Sequence, residues 1–161
     1  CYQCVIENMM KKIFVGLFFA MLMVAKGSIA AAEELAQPFA KGGLNPYNRF
    51  FMGTTYLSNL VSGDAWQVSV SNVTFEKGAR TNWHYHTGGQ ILLVTAGSGR
   101  YQEKGKALRI LQQGDVIQVL PNTIHWHGAA PDCELAHIAI MPNKTNNQTI
   151  WLAPVTNEEY H

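Results

Sequence analysis

Five of the six histidines in this 161-residue chain lie between positions 84 and 137. Four of them form two His-x-His pairs, His84 with His86 and His125 with His127, and His137 follows. Because alternate side chains of a β-strand share a face, each pair would present two imidazoles to the same side. Imidazole binds Zn, Cu, Fe and Ni, and also Mn when oxygen ligands join it. Two pairs on separate strands therefore predict a transition-metal site; the alternative is two pairs of solvent-facing histidines.

Gln90 can extend the first pair, because it follows His86 by four residues across Thr87-Gly88-Gly89. A tight turn at the two glycines would return the amide oxygen of Gln90 toward the histidines. The pattern therefore adds one neutral oxygen ligand to the predicted site.

From about Phe50 onward, the sequence that must position these residues has the composition and pattern of β-strands. Runs rich in Val, Ile, Thr, Tyr and Trp are interrupted by Gly, Asn, Asp and Pro every 8–12 residues, which favours a sandwich or barrel. The predicted strands are Thr54–Leu60, Trp66–Phe75, Thr81–His86, Gln90–Thr95, Gly99–Glu103, Ala107–Gln112, Asp115–Leu120, Thr123–His127 and Glu134–Met141. Thr156 and Glu159 have the spacing of a capping box, which predicts a short C-terminal helix.

Two segments resemble the paired motifs of the cupins. Gly78, His84, His86, Gln90 and Gly97 have the spacing of the first motif, and GDVIQVLPNTIH, which starts at Gly114 and ends at His125, resembles the second. The resemblance implies an all-β fold, the double-stranded β-helix (jelly-roll) barrel, with a metal inside.

The sequence departs from the usual cupin pattern at two positions. Gln90 stands where cupins usually have Glu, so a shell of three histidines and Gln90 leaves the full positive charge on the ion and makes it a stronger Lewis acid. Asn122 stands where Gly is usual, and Asn is the residue best able to replace Gly at positive φ. We therefore expect the turn before His125 to be kept.

A more specific resemblance covers about residues 50–160. The strings ARTNWHYHTGGQILLVTAGSG, GDVIQVLPNTIHWHGAAP and AHIAI resemble single-domain cupins that include bacterial hydroxynitrile lyases and carboxymuconolactone-decarboxylase-like proteins. The resemblance implies that His84, His86, Gln90 and His125 bind one divalent ion, with Mn or Fe the usual occupant and Zn, Ni or Co also compatible. It implies reversible cleavage of a cyanohydrin to an aldehyde and cyanide.

Two further histidines fit a catalytic role beside the ion. His127 shares a strand face with His125, and His137 alternates with Leu135 and Ala139 on a later strand. An imidazole near a doubly charged ion has a lowered pKa and would act as a neutral base at pH 7. The alternative is that His127 orients a metal ligand and that His137 is a hydrogen-bonded core residue. Ser71 and Val73 alternate on an earlier strand and are expected to line the same cavity.

The N-terminal part of the chain has a different composition. Lys11 and Lys12 precede the uncharged run 13–25, and small residues with A-x-A spacing follow, which is typical of a secretory signal peptide; the alternative is a buried or membrane-anchoring helix. We predict upstream, non-native residues at 1–8, a signal peptide at 9–30, an arm at 31–48 and a cupin domain at 49–161. This organisation predicts a periplasmic or secreted protein that has no membrane segment after cleavage.

The charge balance and the apolar pattern indicate which kinds of partner the protein can bind. Without residues 1–30 the chain keeps 9 basic and 10 acidic residues and no basic run, so nucleic-acid binding is not expected. Strands such as Ile91–Val94 are apolar on both faces, which predicts a second layer, the arm or a homodimer partner outside the barrel.

Three functions are compatible with these residues: a metal-dependent lyase acting on a small carbonyl-type substrate, a metal-dependent dioxygenase or isomerase, and a non-catalytic protein that binds a small ligand or metal.

Overall fold

The computed structural model describes residues 35–62, 64–142 and 144–161. The predicted signal peptide and the residues before it lie outside these ranges, so the division of residues 1–30 stays a prediction. Within the described ranges, no helix combines the length and the apolarity that crossing a bilayer requires.

The regular elements of the described chain are mostly antiparallel strands. The strands are β1 (Gly43–Leu44), β2 (Phe51–Met52), β3 (Thr55–Val61), β4 (Val68–Phe75), β5 (Arg80–Thr81), β6 (His84–His86), β7 (Gln90–Glu103), β8 (Arg109–Gln112), β9 (Val116–Val119), β10 (His125–Ala129), β11 (Leu135–Pro142) and β12 (Thr149–Trp151). Three 3-10 turns at Asn48–Phe50, Asp64–Trp66 and Lys144–Asn146 join some of them, and helix α1 (Asn157–Tyr160) ends the fold.

The strands form two curved sheets that share β7. One sheet has the order β1-β3-β4-β11-β7-β9, and the other contains β2, β5, β10, β7 and β8, with β6 and β12 extending from β10. β7 passes between the sheets by bending at Gly97, whose φ is +77°. A Cβ there would lie 1.9 Å from the carbonyl oxygen of Glu134, so only glycine allows this close packing. The curled sheets confirm the predicted barrel fold.

The observed strands follow the predicted ones with two differences in where the chain is divided, and β1, β2 and β12 had not been predicted. The predicted strands Gln90–Thr95 and Gly99–Glu103 are one strand, because the bend at Gly97 keeps β7 paired with β11 before it and β10 after it. The predicted strand Thr81–His86 is divided into β5 and β6. The backbone N–H groups of Asn82 and Trp83 donate to Phe50 and Ala153, so the chain leaves one partner strand and joins another at this point.

The interior of the barrel is divided into an apolar end and a histidine-rich end. The apolar cluster is formed by the inward-facing residues Val73, Phe75, Leu92, Val94, Tyr101, Leu111, Ile117, Val119 and Leu135, with Ala79 and Ala129. This packed core fixes the curvature of both sheets, which in turn fixes where the histidine-bearing strands lie.

Two terminal segments cover the outer faces of the sheets. The Gln37 side chain hydrogen-bonds to Asn72 and Thr74, whose outward side chains are fully buried beneath it. At the other end, α1 begins at Thr156 with the predicted capping box and places Tyr160 against Trp126. The Trp83 indole donates to Glu159 of the same helix, so α1 is anchored to the back of the strand that carries His84.

Candidate metal centre

A cavity of about 260 Å³ opens at the histidine-rich end of the barrel. His84, His86, Gln90, His127 and His137 lie in its wall. The remaining polar and apolar lining includes Asn59, Ser69, Ser71, Thr81, Thr149, Tyr47, Phe51, Leu57, Val73, Phe75, Ala139, Met141 and Trp151. The expectation that Ser71 and Val73 line the cavity of the histidines is confirmed.

His84 and His125 face each other directly across paired strands. They are register partners on β6 and β10, and their ring centroids are 4.2 Å apart. The Nδ1 atom of His84 is 2.9 Å from the carbonyl oxygen of Asn82, and that of His125 is 2.9 Å from the carbonyl oxygen of Thr123. A carbonyl can only accept, so Nδ1 carries the proton in both rings and the Nε2 lone pair is free to bind an ion.

His86 and Gln90 complete the group that the sequence predicts. The His86 ring centroid lies 5.0 Å from that of His84 and 5.5 Å from that of His125. Gly89, with φ +80°, makes the turn that returns the chain, and the Gln90 Oε1 atom reaches 3.2 Å from Nε2 of His125. The structure therefore brings the four predicted ligands together, with His84, His86 and Gln90 in the cavity wall and His125 in contact with them.

The donor atoms of this group fit a divalent transition-metal ion. His86 keeps Nδ1 3.0 Å from the Thr149 hydroxyl, and its Nε2 atom is buried without a hydrogen-bond partner among the described residues. An orphaned buried nitrogen is costly, and metal binding would satisfy it. Ring nitrogens of His84, His125 and His127 also lie within 4.8 Å of one another, so a three-histidine cluster exists that includes His127 instead of His86. The exact ligand set stays a prediction.

Comparison with known proteins identifies the family. The sequence-family model of the cupin domain matches residues 71–140 of this chain. The (R)-mandelonitrile lyase of Granulicella tundricola is 42% identical over 112 residues, which cover 69% of this chain and 86% of that protein. The chain belongs to the cupin family.

Solved structures agree with this assignment. A cupin-like protein from Thermotoga maritima superposes with a TM-score of 0.74 at 47% identity, covering 78% of this cupin and 95% of that chain. A protein from the same organism, described as a predicted oxalate decarboxylase, superposes with a TM-score of 0.57 at 18% identity, covering 74% and 100% of the two chains. At that identity the second likeness shows the fold alone.

Burial controls the charge of the imidazoles in this cupin. Desolvation lowers the pKa of His84 well below its usual value, and the neighbouring His125 and His86 lower it further. Desolvation likewise lowers the pKa of His86 to about 3 and that of His125 to about 4. The rings are therefore neutral near pH 7, which is the form that binds a metal.

His127 and His137 form a second pair, and they meet across the barrel interior from different sheets. The Nε2 atom of His137 lies 3.2 Å from Nδ1 of His127, and both rings are almost completely buried. Desolvation lowers the pKa of both, that of His137 to about 4. One nitrogen of this contact must carry a hydrogen and the other a lone pair, so the two rings share a single proton position. The pair is therefore neutral near pH 7, and one ring nitrogen is left with a lone pair as a proton acceptor.

The sequence interpretation missed several residues that shape the site. β12 was not predicted, yet Thr149 fixes the ring of His86, and Trp151 lies 4.8 Å from the ring of His84. Trp151 is held by stacking on Phe50 at 4.9 Å with an angle of 6° between the planes. The run Thr149-Ile150-Trp151 has high strand propensity, and that signal could have revealed the strand.

Proposed function

We propose that this cupin is a metal-dependent lyase that reversibly cleaves a cyanohydrin to an aldehyde and hydrogen cyanide. The observation that carries the proposal is the convergence of His84, His86, Gln90 and His125 beside the His127–His137 pair, at the end of a cavity that admits a small molecule. The 42% identity to an (R)-mandelonitrile lyase supports this reaction over other cupin chemistry.

The proposed ion is held by His84, His86, Gln90 and His125, and we propose Mn or Fe as the occupant, with Zn, Ni and Co as substitutes. When bound, such an ion supplies positive charge that stabilises negative charge developing on the substrate. Three neutral imidazoles and an amide do not offset that charge, in contrast to a shell that contains a carboxylate.

His127 and His137 carry out the proton transfer. His127 accepts the hydroxyl proton of the cyanohydrin, which requires that His137 donates its Nε2 hydrogen to Nδ1 of His127 and leaves His127 Nε2 as the base. The oxygen electrons form the carbonyl double bond as the carbon–cyanide bond breaks, and that bonding pair leaves with cyanide. The proton then passes from His127 to cyanide, so the products are an aldehyde and neutral hydrogen cyanide. Phe75 and Trp151 pack against the rings of His127 and His84 and supply apolar surface beside them.

The proposal is tested with purified protein whose metal content is measured by elemental analysis. Wild type should bind about one ion per chain and release benzaldehyde from mandelonitrile, which is followed by absorbance. His125→Ala should lose the ion, whereas His127→Ala should keep it and lower kcat by about 10²- to 10⁴-fold, the usual contribution of a general base. His161→Ala is the matched control, because the described structure places this exposed histidine at the end of α1.

Other outcomes would reject the lyase. Oxygen uptake with a small phenol or keto acid would indicate a dioxygenase. A stoichiometric ion with no turnover of a nitrile, a keto acid or a phenol would indicate a binding protein. Cyanohydrin cleavage that persists unchanged in the metal-free protein would also contradict the proposal.

We also propose export and self-association. Residues 9–30 are proposed to direct the protein to the periplasm or medium, which N-terminal sequencing of the exported chain would test.

A homodimer is proposed because the outer face of one sheet carries Ile91 and Leu93 beside Val116, which is 50% exposed. Light scattering that gives a monomer mass at micromolar concentration would reject the dimer.

A further inference from the structure

We infer that the mouth of the cavity contains a polar subsite, formed by Ser71 and Asn59, that selects substrates carrying a hydroxyl group on an aromatic ring. The inference rests on the proposed lyase function and adds the substrate class to it. No histidine and no metal ligand takes part in this subsite.

The subsite lies one inward-facing level away from the histidines. On the inner face of the β3-β4-β11 sheet, Leu57, Val73 and His137 are register partners, and Asn59, Ser71 and Ala139 form the next inward-facing set. Two residues along a strand span about 6.6 Å, which is about the width of a substituted benzene ring. A substrate whose reacting carbon lies near His127 and His137 would therefore place the far side of its ring at Ser71.

The walls between the two levels are suited to an aromatic ring. Leu57, Val73, Phe51 and Trp151 supply apolar and aromatic surface to the cavity. Phe51 and Trp151 lie 5.5 Å apart with their planes tilted by 54°, a geometry in which aromatic rings attract one another. A ring bound there would contact this apolar surface, and its outer substituent would meet Ser71 and Asn59.

Ser71 and Asn59 have hydrogen-bonding capacity left over. The Ser71 hydroxyl donates to the Oδ1 atom of Asn59 at 3.1 Å, although Ser71 is only 9% exposed. Its oxygen can still accept, and within residues 35–62, 64–142 and 144–161 the Asn59 amide nitrogen has no partner. A phenolic hydroxyl matches both groups, since it can accept from Asn59 and donate to Ser71. A methyl group in the same place would leave the buried Ser71 oxygen without this second partner.

The experiment compares 4-hydroxymandelonitrile with 4-methylmandelonitrile, two substrates of similar size. For wild type, kcat/KM should favour the hydroxyl compound by about tenfold or more, because a site built to hydrogen-bond a hydroxyl disfavours an analogue that lacks it. Ser71→Ala should reduce this ratio by about five- to tenfold, the value of one hydrogen bond. Ser58→Ala is the matched control, since Ser58 is on the same hairpin and pairs with Asn72, which faces away from the cavity.

The outcomes separate this inference from the proposed function. If both substrates are cleaved with a ratio near one, or if Ser71→Ala leaves the ratio unchanged, the subsite is wrong and the lyase stands. If neither is cleaved, the lyase fails, and calorimetric binding of 4-hydroxybenzaldehyde against 4-methylbenzaldehyde still decides whether the subsite exists. Should Ser71→Ala not fold, Asn59→Ala at the exposed rim tests the same ratio.

Discussion

Removing the hydroxyl group of Thr149 should weaken metal binding without removing any metal ligand. Thr149 is the register partner of His86, and its Oγ1 atom is 3.0 Å from Nδ1 of that ring. Thr149→Val keeps the branched shape and nearly the same volume, so β12 should still form. The substitution leaves Nδ1 of a ring that is only 3% exposed without its partner.

The substitution has two separate consequences, one for stability and one for metal affinity. A buried polar group without a partner costs about 1–3 kcal/mol, and about 1.4 kcal/mol corresponds to a tenfold change in an equilibrium constant. Loss of a group that orients a metal-binding histidine typically weakens affinity by about 10- to 100-fold. The first cost falls on the folded protein with or without the ion and lowers its stability, whereas the second sets the affinity, so we expect the Kd for Co²⁺ to rise by about 10- to 100-fold in Thr149→Val.

The assay is competition between the protein and a chelator of known affinity, followed by the visible absorbance of bound Co²⁺. Thr95→Val is the matched control, because the Thr95 hydroxyl donates to the carbonyl of Ala136 outside the cavity. The control should lose some stability and keep its Kd. If Thr149→Val binds Co²⁺ within twofold of wild type, His86 is not a metal ligand that Thr149 orients, and the prediction is wrong.

Three further predictions concern the shell, a turn and the C-terminal helix. Gln90→Glu should tighten Mn²⁺ binding by about tenfold or more, which the competition assay measures. The reason is that adjacent opposite charges attract by about 4 kcal/mol at an effective dielectric constant of 20, before the cost of desolvation is subtracted. The same substitution should lower kcat for mandelonitrile cleavage. Asn122 has φ +62°, so Asn122→Ala should lower the free energy of unfolding in urea by about 1 kcal/mol and Asn122→Gly should change it little. The pKa of Glu159 is lowered to about 2 by its hydrogen bonds to the Thr156 backbone, Trp83 and Lys104. The stability that ionised Glu159 contributes is complete above pH 4.5, the unperturbed pKa, and is lost as the pH falls toward 2. In Glu159→Gln, the free energy of unfolding should therefore depend less on pH between 4.5 and 2.

The sequence was sufficient to predict features that depend on local periodicity. Strand alternation places His84 and His86 on one face, and the structure has both rings buried while Tyr85 between them is only partly buried. The turn at Gly89 and the positive φ of Asn122 also follow from residue type alone. These predictions needed no knowledge of which strands are neighbours.

Features that depend on distant pairing could not be predicted in this way. Thr149 meets His86 across 63 positions of sequence, and only the register of β12 on β6 brings them together. His127 and His137 were both predicted to face the interior, but their contact requires strands that are separated by β7 in the sheet order. The curvature of the barrel, which the sequence pattern does not specify, closes that distance.

The rings of His84 and His125 are each aligned by the carbonyl oxygen two residues earlier in the same chain segment. Every residue type carries that oxygen, so substitutions at Asn82 or Thr123 leave the aligning group in place. Relatives could therefore differ freely at both positions and still present the same imidazole tautomer. A comparison of side chains therefore cannot detect the two carbonyl groups that orient His84 and His125. It can detect the Thr149 hydroxyl group that orients His86.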